Sequence, residues 1–234
     1  VRDFDALLAR ARELVVPGRR ALLGIAGSPG AGKSTLATAL VDTLAEQPPP
    51  PAGSGSGRPA GAEPWAAAVP MDGFHLADIE LARLGLAGRK GAPDTFDSAG
   101  YAALLHRLRS PQPGIIYAPA FDRTVEQPIA GSLPVGPDCL LIVTEGNYLL
   151  LDTPTWRAAR AELDEVWFCE VGEVERRRRL IRRHVEFGKE PAAAQAWVRG
   201  IDEPNAVLVA ATAHRADLLV AASAVPRPPV PPAT

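Results

Sequence analysis

The sequence predicts an α/β fold, a parallel sheet flanked by helices, from two observations. Short apolar runs alternate with stretches of helical periodicity, which is the pattern of βαβ units. The first such run leads into Gly27-Ser28-Pro29-Gly30-Ala31-Gly32-Lys33-Ser34-Thr35 and then into an Ala/Leu-rich helical stretch, the strand–loop–helix setting of a phosphate-binding loop.

The elements follow in order. Residues 21–26 read as a buried strand and 33–46 as the helix after it. Residues 66–71 are a second strand candidate. Between 98 and 109, Tyr101, Leu104, Leu105 and Leu108 recur on one helical face. The apolar run at 139–144 is the strongest candidate for a central strand, and 165–170 is another. An arginine-rich helix opens near Glu173, and a further one at Pro191, where the fixed φ of proline suits a first turn. Residues 218–221 supply a last strand.

A chain of 234 residues suffices for one α/β domain with a sizeable core. We expect that domain to span residues 1–224. Residues 47–64, rich in Pro, Gly, Ser and Ala, cannot offset their ordering entropy by burial and are expected to form a mobile loop. The proline-rich stretch 225–234 is expected to be a disordered tail.

Composition excludes more than it selects. Hydrophobic content of 47% and charged content of 22% are those of soluble globular proteins. A net charge of −2 gives no general pull toward nucleic acid or an anionic membrane. No apolar run approaches the roughly 18 residues that span a bilayer, and the start of the chain reads as amphipathic, not as a signal peptide. A small-molecule partner and a cytoplasmic setting are expected. Cys139 and Cys169 lie within apolar runs and read as buried free thiols. His75, His106, His184 and His214 are scattered, so no structural zinc is expected.

The loop at 27–35 carries the chemistry of a P-loop NTPase. Small residues let backbone N–H groups turn inward around phosphate oxygens, and the helix that follows adds the positive end of its dipole. Lys33 is expected to reach the β- and γ-phosphates of ATP, and the Ser34 hydroxyl to ligate Mg²⁺.

Two carboxylates follow strand candidates. In an open parallel sheet, ligands sit beyond the carboxyl ends of the strands. Asp72, after the second strand, can orient a substrate hydroxyl and take its proton, or it is simply a turn-forming Asp-Gly. Glu145, ending the central run, can hold Mg²⁺ or act with Asp72, or it bonds a neighbouring amide. From Glu173 onward, six arginines occupy the eight positions 176–183. So dense a run repels itself unless anions approach, which predicts a helical lid, about residues 173–189, that offers arginines to the transferring phosphate.

Five segments together resemble the uridine kinase, phosphoribulokinase and bacterial pantothenate kinase superfamily. They are the loop at 27–35, Met71-Asp72-Gly73-Phe74, residues 89–97, residues 117–122 and residues 145–151. The resemblance runs in order from about residue 21 to residue 219, and it implies a kinase using ATP and Mg²⁺. It places the base at Asp72, a second acidic group at Glu145, and lid arginines at Arg179 and at Arg182 or Arg183. It also implies that Asn205 borders the adenine, and relatives in this group are often dimers or tetramers. Lys90 falls in a stretch similar to the pantothenate kinase substrate loop, while the Phe121-Asp122-Arg123 stretch departs from both the pantothenate and the uridine kinase patterns. Arg123 and Lys90 point to an acceptor bearing an anionic group or several hydroxyls, with His75, Tyr117 and Phe121 as further candidates to line its pocket. The other class considered, a P-loop GTPase or ATPase switch or metallochaperone, should carry an Asn-Lys-x-Asp motif, and none is present.

Overall fold

The computed structural model describes residues 1, 3–50, 64–110 and 113–225. The loop expected at 47–64 and the tail expected at 225–234 therefore lie, but for their ends, outside the described residues. A five-stranded sheet holds the molecule together, in the order β2-β5-β1-β6-β7 with every neighbouring pair parallel. In chain order the elements are α1 (Phe4–Glu13), β1 (Ala21–Ala26), α2 (Lys33–Glu46), β2 (Ala66–Ala68), a 3₁₀ turn (Met71–Phe74), α3 (Asp78–Arg83) and α4 (Ser98–Arg109). Then come β3 (Ile116–Asp122), β4 (Gln127–Val135), β5 (Leu141–Glu145), α5 (Pro154–Ala161), β6 (Glu165–Glu170) and α6 (Glu173–Glu186). The chain ends with α7 (Pro191–Trp197), a π-turn (Val198–Asp202), α8 (Glu203–Ala210) and β7 (Leu218–Ala221).

Every residue of β1 is buried, because helices cover both faces of the sheet. Alternation then sorts its side chains between two cores. Leu22, with Ile142, Val166 and Phe168, packs toward Tyr101, Leu105 and Leu108 of α4 and Trp156 of α5. Leu23 and Ile25, with Leu141, Val143 and Trp167, pack toward Leu7 of α1 and Leu36, Leu40 and Leu44 of α2. The helical face expected at 98–109 is the buried face of α4, whose start is capped by the Asp97 carboxylate accepting from the Gly100 amide at 2.8 Å. Among the described residues no helix is long and apolar enough to cross a membrane.

Four differences from the sequence reading matter. The strand expected over 66–71 stops at Ala68, and Pro70 leads into the 3₁₀ turn that carries Asp72. The run at 139–144 is shifted, since the Cys139 amide closes a turn on the Gly136 carbonyl before β5 begins. The helix from Pro191 ends at Trp197 and continues as the π-turn. The antiparallel hairpin β3–β4, outside the main sheet, was not foreseen at all.

Arg20 is 1% exposed and lies on the approach to β1. Its guanidinium donates to three carbonyls, those of Cys139 (2.7 Å), Leu108 (3.0 Å) and Gly136 (2.9 Å). It thereby ties the end of α4 to the turn before β5. Arg20→Met would leave three buried carbonyls without this donor, at about 1 kcal/mol or more each. Urea unfolding should show a loss on the order of 3 kcal/mol with an unchanged m-value. A loss under about 1 kcal/mol would mean that water replaces the guanidinium at all three oxygens.

Candidate active site

The strand register assembles the site. Ile25 of β1 pairs with Glu145 of β5, and the Gly146 amide donates to the Ile25 carbonyl at 3.0 Å. The acidic end of β5 is thereby set beside the point where β1 opens into the loop at 27–35. That loop passes close under α6. A Cβ on Gly30 (φ +81°) would lie 2.9 Å from Leu180 Cγ and 3.0 Å from the Arg176 carbonyl oxygen, so the path admits only glycine there. Helix α2 starts at Gly32 with no side-chain cap and no acidic residue in its first turn. Its first amides are therefore left to an incoming anion.

Lys33 is buried, and its Nζ donates to the Ser28 carbonyl (3.2 Å) and to Asn147 Oδ1 (2.6 Å). Burial pushes its pKa below the ordinary lysine value, and the carboxylates of Glu145 and then Asp72 act against that. The Ser34 hydroxyl donates to Glu145 Oε1 at 2.8 Å. Glu145 is 6% exposed, and burial, followed by the charge of Asp72, raises its pKa. Two carboxylates and one ammonium thus share one electrostatic centre.

Asp72 sits in the 3₁₀ turn, which packs tightly on the hairpin. A Cβ on Gly73 would overlap the Pro119 carbonyl oxygen of β3. The hairpin's own turn supplies Arg123, whose Nη2 donates to Asp72 Oδ2 at 3.1 Å. The Arg123 guanidinium also lies 5.8 Å from the ring of Phe121 and 5.9 Å from that of Phe187, just past α6.

A cleft of about 1230 Å³ opens above the loop, lined by Gly30, Gly32, Lys33, Ser34 and Thr35, by arginines of α6, and by Arg123 and Phe187. Helix α6 resolves its charge run by pairing. Arg176 and Arg177 bond Glu203 on α8, Arg178 and Arg179 bond Glu175, and Arg182 meets Glu186 at 3.5 Å. Arg183 makes no ion pair among the described residues. Burial, and then the like charge of Arg123, lower its pKa, with Asp202, Asp72 and Glu145 acting the other way. Arg179 keeps its Nε on Glu175 at 2.8 Å, while its Nη1 lies 3.6 Å from where a Gly32 side chain would begin.

The remaining expected residues divide. His75 lies against Phe121, with ring centroids 4.6 Å apart, and so joins Asp72 and Arg123. Lys90 is held by Asp78 at 2.6 Å and by the Glu126 carbonyl, with Phe121 beneath it. Tyr117 of β3 is 56% exposed, and its hydroxyl bonds no residue of the site among the described residues. Asn205 is buried on α8 with its Nδ2 3.4 Å from the Gly91 carbonyl, which also receives the Tyr148 hydroxyl. Sequence reasoning missed Asn147 as the partner of Lys33, although it stands two residues after Glu145 in a segment already singled out. It also missed the His184–Asp202 pair at 2.8 Å, which joins α6 to the π-turn and has no local signature.

A parallel α/β sheet with this loop, and with acidic groups gathered at the strand ends beside it, defines a P-loop phosphotransferase. No family model matches the chain. It is 33% identical over 192 residues to the "Putative uridine kinase C227.14" of Schizosaccharomyces pombe, an alignment covering 80% of this chain and 76% of the relative. It is 33% identical over 210 residues to the "Uncharacterized protein YggC" of Escherichia coli, covering 90% and 81%. A crystal structure of a "putative fructose transport system kinase" from Silicibacter sp. TM1040 superposes with a TM-score of 0.78 at 38% identity, over 92% of this chain and 98% of that one. The chain belongs to the uridine kinase, phosphoribulokinase and bacterial pantothenate kinase superfamily of P-loop kinases.

Proposed function

We propose that the protein transfers the γ-phosphoryl group of ATP to a hydroxyl of a nucleoside, sugar or pantothenate-like metabolite. The observation that carries this reading is the convergence of Asp72 and Glu145, from two different strand ends, on the electrostatic surroundings of Lys33. A nucleotide switch needs a lysine and a metal site there. A second carboxylate beside them serves a reaction in which an alcohol must be oriented and deprotonated.

The roles follow from position. Amides of the loop at 27–35 and Lys33 hold the triphosphate. The Ser34 hydroxyl and the Glu145 carboxylate, already 2.8 Å apart, are hard oxygen donors of the kind Mg²⁺ takes, with phosphates and water completing its shell. Bound there, the metal neutralises charge on the transferring group. Asp72 Oδ2 is engaged by Arg123, and Oδ1 is left to a substrate hydroxyl. Arg179 and Arg183 face the cleft as the cations of a helical lid. His75, Phe121 and Arg123 border the acceptor, with Lys90 and Tyr117 as outer candidates and Asn205 as the candidate toward the nucleotide base.

Incubation of the pure protein with ATP or GTP, with and without a metabolite panel, tests the reading. ATP turnover that rises with an acceptor, with a matching mass gain of one phosphate, is the expected result. Acceptor-independent GTP turnover would favour a switch instead, and no turnover with either nucleotide would reduce the protein to a binder.

A further inference from the structure

Lys33 lines the cleft above the loop and is tethered at two points. Its ammonium has three N–H groups to give. One goes to the Ser28 carbonyl at 3.2 Å, inside the phosphate loop itself, and one to Asn147 Oδ1 at 2.6 Å. An ammonium only donates, so the Asn147 amide must turn its oxygen toward it. The Ser28 carbonyl also accepts from the Ala31 amide at 3.0 Å, and so holds the turn of the loop as well as the lysine. The nitrogen is tetrahedral. With the bond to Cε and two N–H directions fixed, the third N–H has a single direction left.

The backbone that carries Asn147 is pinned. The Gly146 amide donates to the Ile25 carbonyl at 3.0 Å, and a Cβ on Gly146 would lie 2.6 Å from Met71 Cβ. On the other side, Tyr148 is buried. Asn147 is thus fixed to the end of the sheet, where β1, β5 and the start of the 3₁₀ turn meet, whereas Ser28 belongs to the loop that wraps the phosphates. The choice of an amide also matters. The carboxylates that act on Lys33 are Glu145 and then Asp72. An ammonium released from Asn147 would turn to them, and its charge would be neutralised before a phosphate arrived. A neutral oxygen makes a charge-assisted hydrogen bond without cancelling that charge.

We propose that Asn147 is a positioning residue for Lys33: its side-chain oxygen keeps the ammonium off the carboxylates of the site and aims the remaining N–H at the phosphates of the bound nucleotide. This rests on the reading of Lys33 as the lysine that holds the triphosphate. It deepens that reading by adding a residue outside the loop, 114 positions away in the chain.

A double-mutant cycle on nucleotide binding tests this. The Kd of ATP, with Mg²⁺ present, is measured by calorimetry for the wild type, Asn147→Leu, Lys33→Met and the double variant. Asn147→Leu keeps roughly the size of the side chain and removes the acceptor. It should raise the Kd about tenfold when Lys33 is present, the scale of one hydrogen bond to a charged group. Once Lys33 is methionine, the same change should cost less than about twofold, the signature of a coupled pair. A residue that merely secured the end of β5 would cost as much in both backgrounds. Should urea unfolding show that leucine disturbs the fold, Asn147→Ala, which only removes atoms, repeats the cycle. Equal losses in the two backgrounds would overturn the proposal, as would wild-type affinity for ATP in the Asn147 variant. Wild-type affinity in Lys33→Met would remove the phosphate-site reading itself, and the role of Asn147 with it.

Discussion

Asp72→Asn is expected to lower acceptor-dependent turnover by about two to four powers of ten, the usual worth of a positioned base, while nucleotide still binds. The substitution keeps the volume of the side chain and its capacity to accept a hydrogen bond. What it removes is the ability to hold the proton leaving the alcohol. The local fold should tolerate the change, because the turn is held by its close packing on Pro119 and not by the carboxylate. Arg123 loses its ion partner, but at 38% side-chain exposure it can turn to water. A nucleotide titration alongside steady-state kinetics separates the two effects. Turnover within tenfold of wild type would move the base to Glu145 or remove the need for one. Glu145 is the weaker candidate on geometry, since one of its oxygens is taken by Ser34 at 2.8 Å, and the proposed function gives that pair to Mg²⁺.

How much of this could be read in advance depends on the range over which each feature is encoded. The phosphate loop was legible because its requirements are local: small residues, a lysine and a hydroxyl at fixed spacing before a helix. The five strands, and the helices α2, α4, α6 and α7, were legible for a related reason. A sheet covered on both faces writes continuous apolar runs, such as β1, into the sequence. The hairpin β3–β4 was not. Pro119, Pro128 and Pro134 argue against a strand, yet a two-stranded ribbon consists wholly of edges, where a missing N–H costs little. With the hairpin unseen, the contact between Arg123 and Asp72, 51 positions apart, had no basis in sequence. Lys90 shows the same gap from the other side. Its charge was legible, but its commitment to the Glu126 carbonyl depends on where the hairpin turn falls. The arginine run is an intermediate case. Pairing within α6 follows from helical spacing, as between Arg179 and Glu175, whereas the two bonds to Glu203 require α8 to fold back against it.

That pairing pattern carries the other large prediction. Arg183→Gln should lower kcat by about two to three powers of ten, comparable to the loss of one preorganised donor to transition-state charge. Arg177→Gln, the same change on the same helix but outside the cleft, should cost under about threefold, as befits an exposed ion pair. The difference has a physical origin in the free protein. Arg177 is neutralised by Glu173 and Glu203, so removing it disturbs the surface alone. Arg183 makes no ion pair among the described residues, and burial and the like charge of Arg123 outweigh the carboxylates of Asp202, Asp72 and Glu145 in lowering its pKa, so its guanidinium is open to an anion. The transferring phosphoryl group is such an anion, and its charge spreads over the equatorial oxygens as the bond to the leaving group loosens. A guanidinium that meets this charge would act most strongly in the transition state, which is the condition for a gain in kcat. Arg183→Lys should recover only part of the rate, since an ammonium keeps the charge but loses the planar fork. Should Arg183→Gln turn over within about threefold of wild type, the developing charge would have to be met by Arg179, whose Nη1 lies over Gly32 while its Nε stays on Glu175.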